Sequence, residues 1–446
     1  MNMAIESQLY SKCQQSHSED DLENYILNFP AGEHALQVVS WWGQVINRTV
    51  DGINDLSKRI ETAKDYQEKA KGFRDSADAS VVNIWNQIVA GLQTKIVSAR
   101  NGLVNQIKAE KGKIGCVKFL ARLKSAHLEE DDLKALGISP SDYEYMENFK
   151  GVKTLVSEPL EENKKYVLPA DNTEIYFWGL PNSGKTCCLG SMLSQSRNLG
   201  YYDSFEGTLG ADYFEVLSNV FKPGRLCNLV QSTNETSIAY ARYTFNHIKY
   251  GKRQCCLIDL AGETFKAMRD RKRKKEMSDD KARCLDVATE FLRDTRNRKL
   301  HFFIVPYLED PSENVKGADV CMEDFLHVCM QYLKEYKVFN NSTDGIYIIV
   351  TKTDMMPGVT DEERDAKASN YVILNYPSLY NALTEVCKEN YINKFDSQPV
   401  RILAFSIGEL LTSDICRFDP KGGNRLIDII CDKSKKKKGF LGRFFD

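Results

Sequence analysis

The chain has no run of about 20 apolar residues, no C-x-x-C pair and only six histidines in 446 residues. Without such a run, no segment is expected to span a membrane. The amino terminus, Met1-Asn-Met-Ala-Ile-Glu-Ser7, has neither a basic stretch nor an apolar one, so a standard export signal is not expected. The thirteen cysteines are scattered, several inside apolar runs (Cys187, Cys188, Cys255, Cys256), which suits buried free thiols in a reducing compartment. A cytoplasmic protein is expected, with peripheral attachment to the inner face of a membrane left open. His17, His34, His127 and His301 show no metal-ligand spacing, so packing or surface roles are expected. A net charge of −2 gives no global attraction to nucleic acid or anionic lipid, and any such contact must come from local clusters. Nucleic acid is disfavoured as a partner. The length and the 42% hydrophobic content suit two or three domains.

What the chain does have is Gly179-Leu-Pro-Asn-Ser-Gly184-Lys185-Thr186. It follows the strand-like Glu174-Ile-Tyr-Phe-Trp178 and precedes a helix-compatible stretch that opens at Cys187-Cys188. A G-x-x-x-x-G-K-[ST] loop in that setting cradles phosphate, because glycine lets successive N–H groups turn inward at a helix N-terminus that favours anions. The candidate nucleotide contacts are Gly179, Pro181, Asn182, Ser183, Gly184, Lys185, Thr186 and Cys187. In this geometry Lys185 reaches the β- and γ-oxygens and the Thr186 hydroxyl ligates Mg²⁺. Further on, Cys255-Cys-Leu-Ile-Asp259-Leu-Ala-Gly262-Glu263 reads as a buried strand ending in D-x-x-G. Asp259 there can hold the Mg²⁺ water shell, and the Gly262 N–H can meet a γ-phosphate. A third β-branched run, Gly345–Val350, delivers Thr351-Lys352-Thr353-Asp354 at its carboxyl end, where open α/β sheets bind ligands.

In this order the three elements resemble the P-loop GTPases, the Ras-like or TRAFAC-type G domain, over about residues 172–432. Thr351-Lys352-Thr353-Asp354 stands where that superfamily carries its [NT]-K-x-D guanine motif. A carboxylate accepts from the guanine N1–H and N2–H₂ together, whereas adenine has an acceptor at N1 and no N2 donor, so Asp354 should discriminate against ATP. The resemblance implies an α/β domain with a mostly parallel sheet flanked by helices, with GTP/GDP and Mg²⁺ as cofactors. It implies too that the Lys352 stem covers the base, and that Phe405-Ser406-Ile407-Gly408 is a degenerate last base-contacting loop through Ser406. In joining such a domain to helical segments, the chain is similar to large uncharacterised bacterial GTPases.

Two departures bear on rate. Glu263 stands where Ras-like GTPases keep a water-positioning glutamine, and its charge would oppose an anionic γ-phosphate unless it faces away or is protonated. Slow intrinsic hydrolysis is expected. The switch threonine is Thr233 or Thr236, both ahead of a strand Ser237–His247 that turns at Tyr250-Gly251-Lys252 into the Asp259 strand. With Lys185 and Glu263 these two complete the catalytic candidates. No arginine finger can be assigned, since Arg225, Arg242 and Arg269 are equally available by type.

An all-α region, a helical bundle or long hairpin, is expected ahead of the α/β domain. From Ile46 to Ile107 apolar positions recur over 61 residues in 17 steps, about 3.6 per step, the period of a straight amphipathic helix. A break near Gly72 or Asp75–Ser80 would fold it into a hairpin. Residues 1–40 resemble one tetratricopeptide-type hairpin, ending Phe29-Pro-Ala-Gly32-Glu-His34-Ala35, which suits protein docking or a bundle cap. The expected boundaries are 1–40 for this hairpin, 41–156 for the bundle, 157–171 for a linker, 172–432 for the nucleotide domain and 433–446 for a tail.

The tail sets a lysine cluster beside Phe440, Leu441, Phe444 and Phe445 and suits an anionic membrane or a groove on a partner protein. Arg269–Lys275 holds six basic residues in seven, either a solvated helix face or an anion patch. Three functions fit: a GTP-dependent switch, a nucleotide-bound scaffold with little turnover, and a membrane-associated self-assembling GTPase.

Overall fold

Amphipathic spacing and local capping explain the first of the chain's two units, Met1–Phe149. A computed structural model describes residues 2–434 except 76, 127, 156–159, 162–163, 207–209, 233–237, 313–320, 358–359, 361–362 and 394–397. Thr233 and Thr236, the two candidates for an expected switch threonine, and the tail from residue 435 lie outside the described residues. The helices of the first unit are α1 Asn2–Ser16, α2 Glu19–Asn28, α3 Ala35–Asp51, α4 Leu56–Asp75, α5 Ala79–Glu110, α6 Cys116–Ser125, α7 Glu130–Ala135 and α8 Pro140–Glu147. Ser18 and Asp78 cap α2 and α5 by accepting from Asp21 and Ser80 backbone N–H groups. Ser139 and Asp142 form a reciprocal capping box on α8, with Pro140 at its first position.

Between α3, α4 and α5 lies an aromatic core in which the Trp42 ring is 5.4 Å from Trp85 and 5.7 Å from Phe73. Polar ties join the α1–α2 hairpin to the rest: Tyr66 donates to Glu19 at 2.7 Å and Lys69 to Glu23 at 2.9 Å. The unit closes at Phe149 and not at residue 156, because Lys153–Leu155 pairs as a strand in the second unit. Tyr166 and Leu168 are likewise buried in the second unit's core, so this part of the expected linker is packed down.

The second unit, Lys150–Asp446, alternates strands and helices. In chain order it contains β1 Lys153–Leu155, β2 Thr173–Trp178, α9 Lys185–Asn198, β3 Tyr202–Glu206, α10 Ala211–Leu217, β4 Leu226–Asn228, β5 Val230–Ser232, β6 Ile238–His247, β7 Gly251–Leu260, α11 Glu263–Lys272 and α12 Asp279–Arg293. Then follow β8 Arg298–Pro306, α13 Met322–Glu335, β9 Thr343–Thr351, a 3₁₀ turn Thr353–Met355, α14 Arg364–Asn375, α15 Pro377–Glu389, β10 Arg401–Ala404, β11 Gly408–Thr412, β12 Ile415–Phe418 and α16 Lys421–Lys433.

Seven strands form the main sheet in the order β10-β9-β8-β2-β7-β6-β3. It is parallel from β10 to β7, with β6 and β3 antiparallel at one edge. This is a mixed α/β fold with a mostly parallel sheet flanked by helices. Period-two alternation assigns the faces. Ile175 and Phe177 point into the core under α9, α10 and α16; Tyr176 and Trp178 point into the core under α11 to α15. Burial on both faces explains why β2, β8 and β9 read as continuous apolar runs. Among the described residues, no helix is long and apolar enough to cross a membrane.

At the start of β2 and β8 a buried ion pair links Glu174 to Lys299 at 2.8 Å, both fully inaccessible. Burial pushes the Glu174 carboxyl up, and Lys299, Tyr176 and Asn297 hold it down. Lys299→Met leaves that carboxylate unpaired and should cost about 3–5 kcal/mol in urea unfolding. Adding Glu174→Gln should recover part of the loss, because removing both charges also removes the desolvation penalty.

Candidate functional site

The loop between β2 and α9 takes its shape from two left-handed residues, Asn182 at φ +64° and Gly184 at φ +91°. Left-handed residues alternating with ordinary ones can turn successive N–H groups to one side, a backbone arrangement at the start of α9 that suits an anion. Gly184 has a second constraint, since a Cβ there would lie 3.2 Å from Thr351. Thr351 ends β9, and its hydroxyl donates to the Ser183 carbonyl at 2.7 Å. The end of β9 is thus latched to the β2–α9 loop. The Ser183 hydroxyl is buried with no partner among the described residues.

A cavity of about 590 Å³ opens at the carboxyl ends of these strands. Pro181, Asn182, Ser183, Gly184, Lys185, Thr186 and Cys187 line it, with Asp259, Gly262, Glu263 and Lys352. Eleven residues proposed from sequence therefore share one wall. Gly179, Thr351, Asp354 and Ser406 do not line the cavity; the last two are bonded to each other, Ser406 Oγ donating to Asp354 Oδ1 at 2.9 Å. The Ser406 oxygen in turn accepts from the Gly408 N–H at 3.0 Å. Lys352 takes a left-handed conformation, φ +58°, as the chain leaves β9 for the turn that carries Asp354.

Electrostatics in the cavity are dominated by Lys185 and Asp259, both buried. Burial pushes the Lys185 ammonium down and the Asp259 carboxyl up, each partly offset by the other's charge. Both shifts mean that the site, without an ionic ligand, disfavours its own charges. Tyr213 also steadies the Asp259 carboxylate by donating to Oδ2 at 2.6 Å. Glu263, the first residue of α11, is paired with Lys266 at 2.8 Å, so its charge is compensated locally. A Cβ on Gly262 would meet the Pro181 nitrogen at 2.5 Å, which shows how closely the start of α11 is pressed against the loop.

The donor set fits Mg²⁺. Thr186 and Asp259 offer hard oxygens to one cavity. Among the described residues no group of three or more His, Cys, Asp and Glu could cage a metal by itself. Mg²⁺ binds in this manner, through one or two side chains with phosphate oxygens and water completing the shell.

Several features were not visible in the sequence. Val152, Leu229, Val230 and Ser413 also line the cavity. Their place follows from a three-stranded sheet β11-β12-β4 and from the β1–β5 pair, each joining segments far apart in the chain. Cys187, expected to be buried, is partly exposed because it faces the cavity. Arg225, Arg242 and Arg269 are absent from the cavity wall. Arg269 is buried, its guanidinium 5.1 Å from the Phe325 ring. Arg271 pairs with Asp286 and Lys272 with Glu335, so half of the basic run is engaged within the fold.

No protein-family model matches the chain, and no curated protein matches it. Among solved structures it is similar to a Plasmodium falciparum protein named nucleolar GTP-binding protein 1. The identity is 12%, over 60% of this chain and 88% of that chain, with a TM-score of 0.27. A likeness of that size assigns no function.

Proposed function

We propose that the second unit binds GTP and GDP with Mg²⁺, and that the chain is a slow GTPase acting as a conformational switch. One observation carries the reading: the β2–α9 loop is latched by Thr351 to the strand that delivers Asp354, while Asp259 and Gly262 enter the same cavity. Loop N–H groups would hold the β-phosphate, and Lys185 would neutralise the β- and γ-oxygens. Thr186 and Asp259 would hold the metal, which supplies charge neutralisation on the phosphates when bound. Asp354, aligned by Ser406, would accept from the guanine edge while the Lys352 stem covers the base. Gly262 at the start of α11 would report the γ-phosphate to that helix, with Thr233 or Thr236 as the second switch contact.

The composition of the wall supports slow turnover. Ionised Glu263 accepts but cannot donate to a phosphate, and its partner Lys266 holds it in place. Among the described residues lining the cavity there is no Gln, His or Arg to orient water or offset developing charge. The same observation favours a second reading, a nucleotide-bound scaffold with hardly any turnover. Single-turnover conversion of bound GTP separates the two. The switch predicts complete conversion on the order of 10⁻³ s⁻¹ or slower, accelerated by a partner. GTP recovered intact after many hours would support the scaffold.

On either reading the helical unit is the surface for a protein partner. The basic and apolar tail is the candidate for an anionic membrane or a groove on another protein.

A further inference from the structure

We propose that Tyr213 is a positioning residue for the metal-holding carboxylate of Asp259. This rests on the Mg²⁺–nucleotide reading above and adds to it a residue that no part of the loop or strand motifs contains. Asp259 is the penultimate residue of β7, where it lies opposite Ala239 of β6 in the antiparallel register. Gly210, at φ +111°, passes so close to that partner that a Cβ on it would sit 2.8 Å from the Ala239 Cβ. The short helix α10 starts at the next residue, and Tyr213 lies within its first turn. Tyr213 is thereby set over Asp259 and donates to Oδ2 at 2.6 Å, with both side chains buried. The ring itself is held by edge-to-face packing on Phe214, centroids 5.2 Å apart.

A carboxylate can turn about its Cβ–Cγ bond and present either oxygen, or both, to a cation. A charge-assisted hydrogen bond from a buried phenol fixes one oxygen and the plane, leaving the other for the ion or its water. Donors behind a metal-holding group orient it, and their loss weakens metal binding without removing a ligand. Tyr213 does not line the cavity, so it acts through Asp259 and not on the nucleotide.

The test is Mg²⁺-dependent tightening of fluorescent GTP by the full chain, measured across Mg²⁺ concentrations and in EDTA. Tyr213→Phe keeps the ring and removes only the hydroxyl. It should raise the Mg²⁺ concentration for half-maximal tightening about tenfold, with far less change in EDTA. Tyr213→Met, a second hydroxyl-free variant, is measured in parallel, and circular dichroism identifies the folded protein on which the comparison is made. Folded variants with the Mg²⁺ dependence of the unaltered chain overturn the inference. So does a reduced Mg²⁺ requirement, which would make the phenol a competitor of the metal. Failure of the unaltered chain to bind GTP at all is a different result, and overturns the nucleotide reading together with this one.

Discussion

Asp354→Asn should lower GTP affinity by about 5- to 150-fold and improve binding of xanthosine triphosphate. The range follows from the 1–3 kcal/mol that a good bidentate base contact contributes. Guanine presents two adjacent donors, and a carboxylate meets both as an acceptor. An asparagine replaces one acceptor by a donor, which faces the guanine amino group badly and the xanthine carbonyl well. Ser406 Oγ holds Asp354 Oδ1 at 2.9 Å, so the side chain is aligned before any base arrives. Asp354 is solvent-exposed in the structure, and the substitution should leave folding almost unchanged. Displacement of labelled GTP by the two unlabelled nucleotides measures the exchange of preference. An unaltered ranking of GTP over xanthosine triphosphate would take Asp354 out of base recognition.

Lys185→Ala should abolish measurable triphosphate binding. Lys185 is the first residue of α9 and the only cation that the β2–α9 loop contributes to the cavity. Burial pushes its ammonium down, with Asp259 and Glu263 the anions that oppose this. An anionic ligand replaces lost hydration with direct charge pairing, so the ligand's affinity depends on this contact. Truncating one partner of a buried, hydrogen-bonded charge pair costs about 2–5 kcal/mol, at least about thirtyfold in affinity. Calorimetry on a folded variant should show no heat where the unaltered chain shows saturable binding. Equal affinity in the two proteins would mean that phosphate is held elsewhere.

The contrast between what could and could not be read from the residues has a physical cause. The loop of residues 179–186 is contiguous, and its strand and helix carry their own signals: β2 is aromatic and β-branched, and Gly184 supplies the left-handed turn into α9. Asp259 and Asp354 were readable for the same reason, each lying at or just beyond the end of a buried apolar run. The helical turn at Asp78 follows from a local cap. Contacts that join distant segments leave no such local pattern. Tyr213 meets Asp259 across 46 residues, and Thr351 meets Ser183 across 168. The pairing of β4 with β12 places Cys227 opposite Cys416 with no periodic signal in either three- or four-residue strand. Burial of the expected linker at Tyr166 and Leu168 has the same origin, since only the assembled sheet provides the surface they cover.

Around α11 the charges are paired locally. Glu263 at the cavity looks repulsive in sequence, but Lys266 one turn later accompanies it at 2.8 Å. The basic run that follows is partly spent on Phe325, Asp286 and Glu335. Any movement of α11 would have to break or carry these contacts, so on the proposed reading a change at Gly262 would be felt by helices α12 and α13.

The proposed function has two halves, a triphosphate gripped at residues 179–186 and a base selected at Asp354. Titration calorimetry of the full chain with GTP and then ATP, each with Mg²⁺, tests both halves at once. Saturable, stoichiometric heat is expected with GTP, and ATP should bind more weakly by about tenfold or more. Equal binding of the two nucleotides, or no heat from either, would contradict the proposed function.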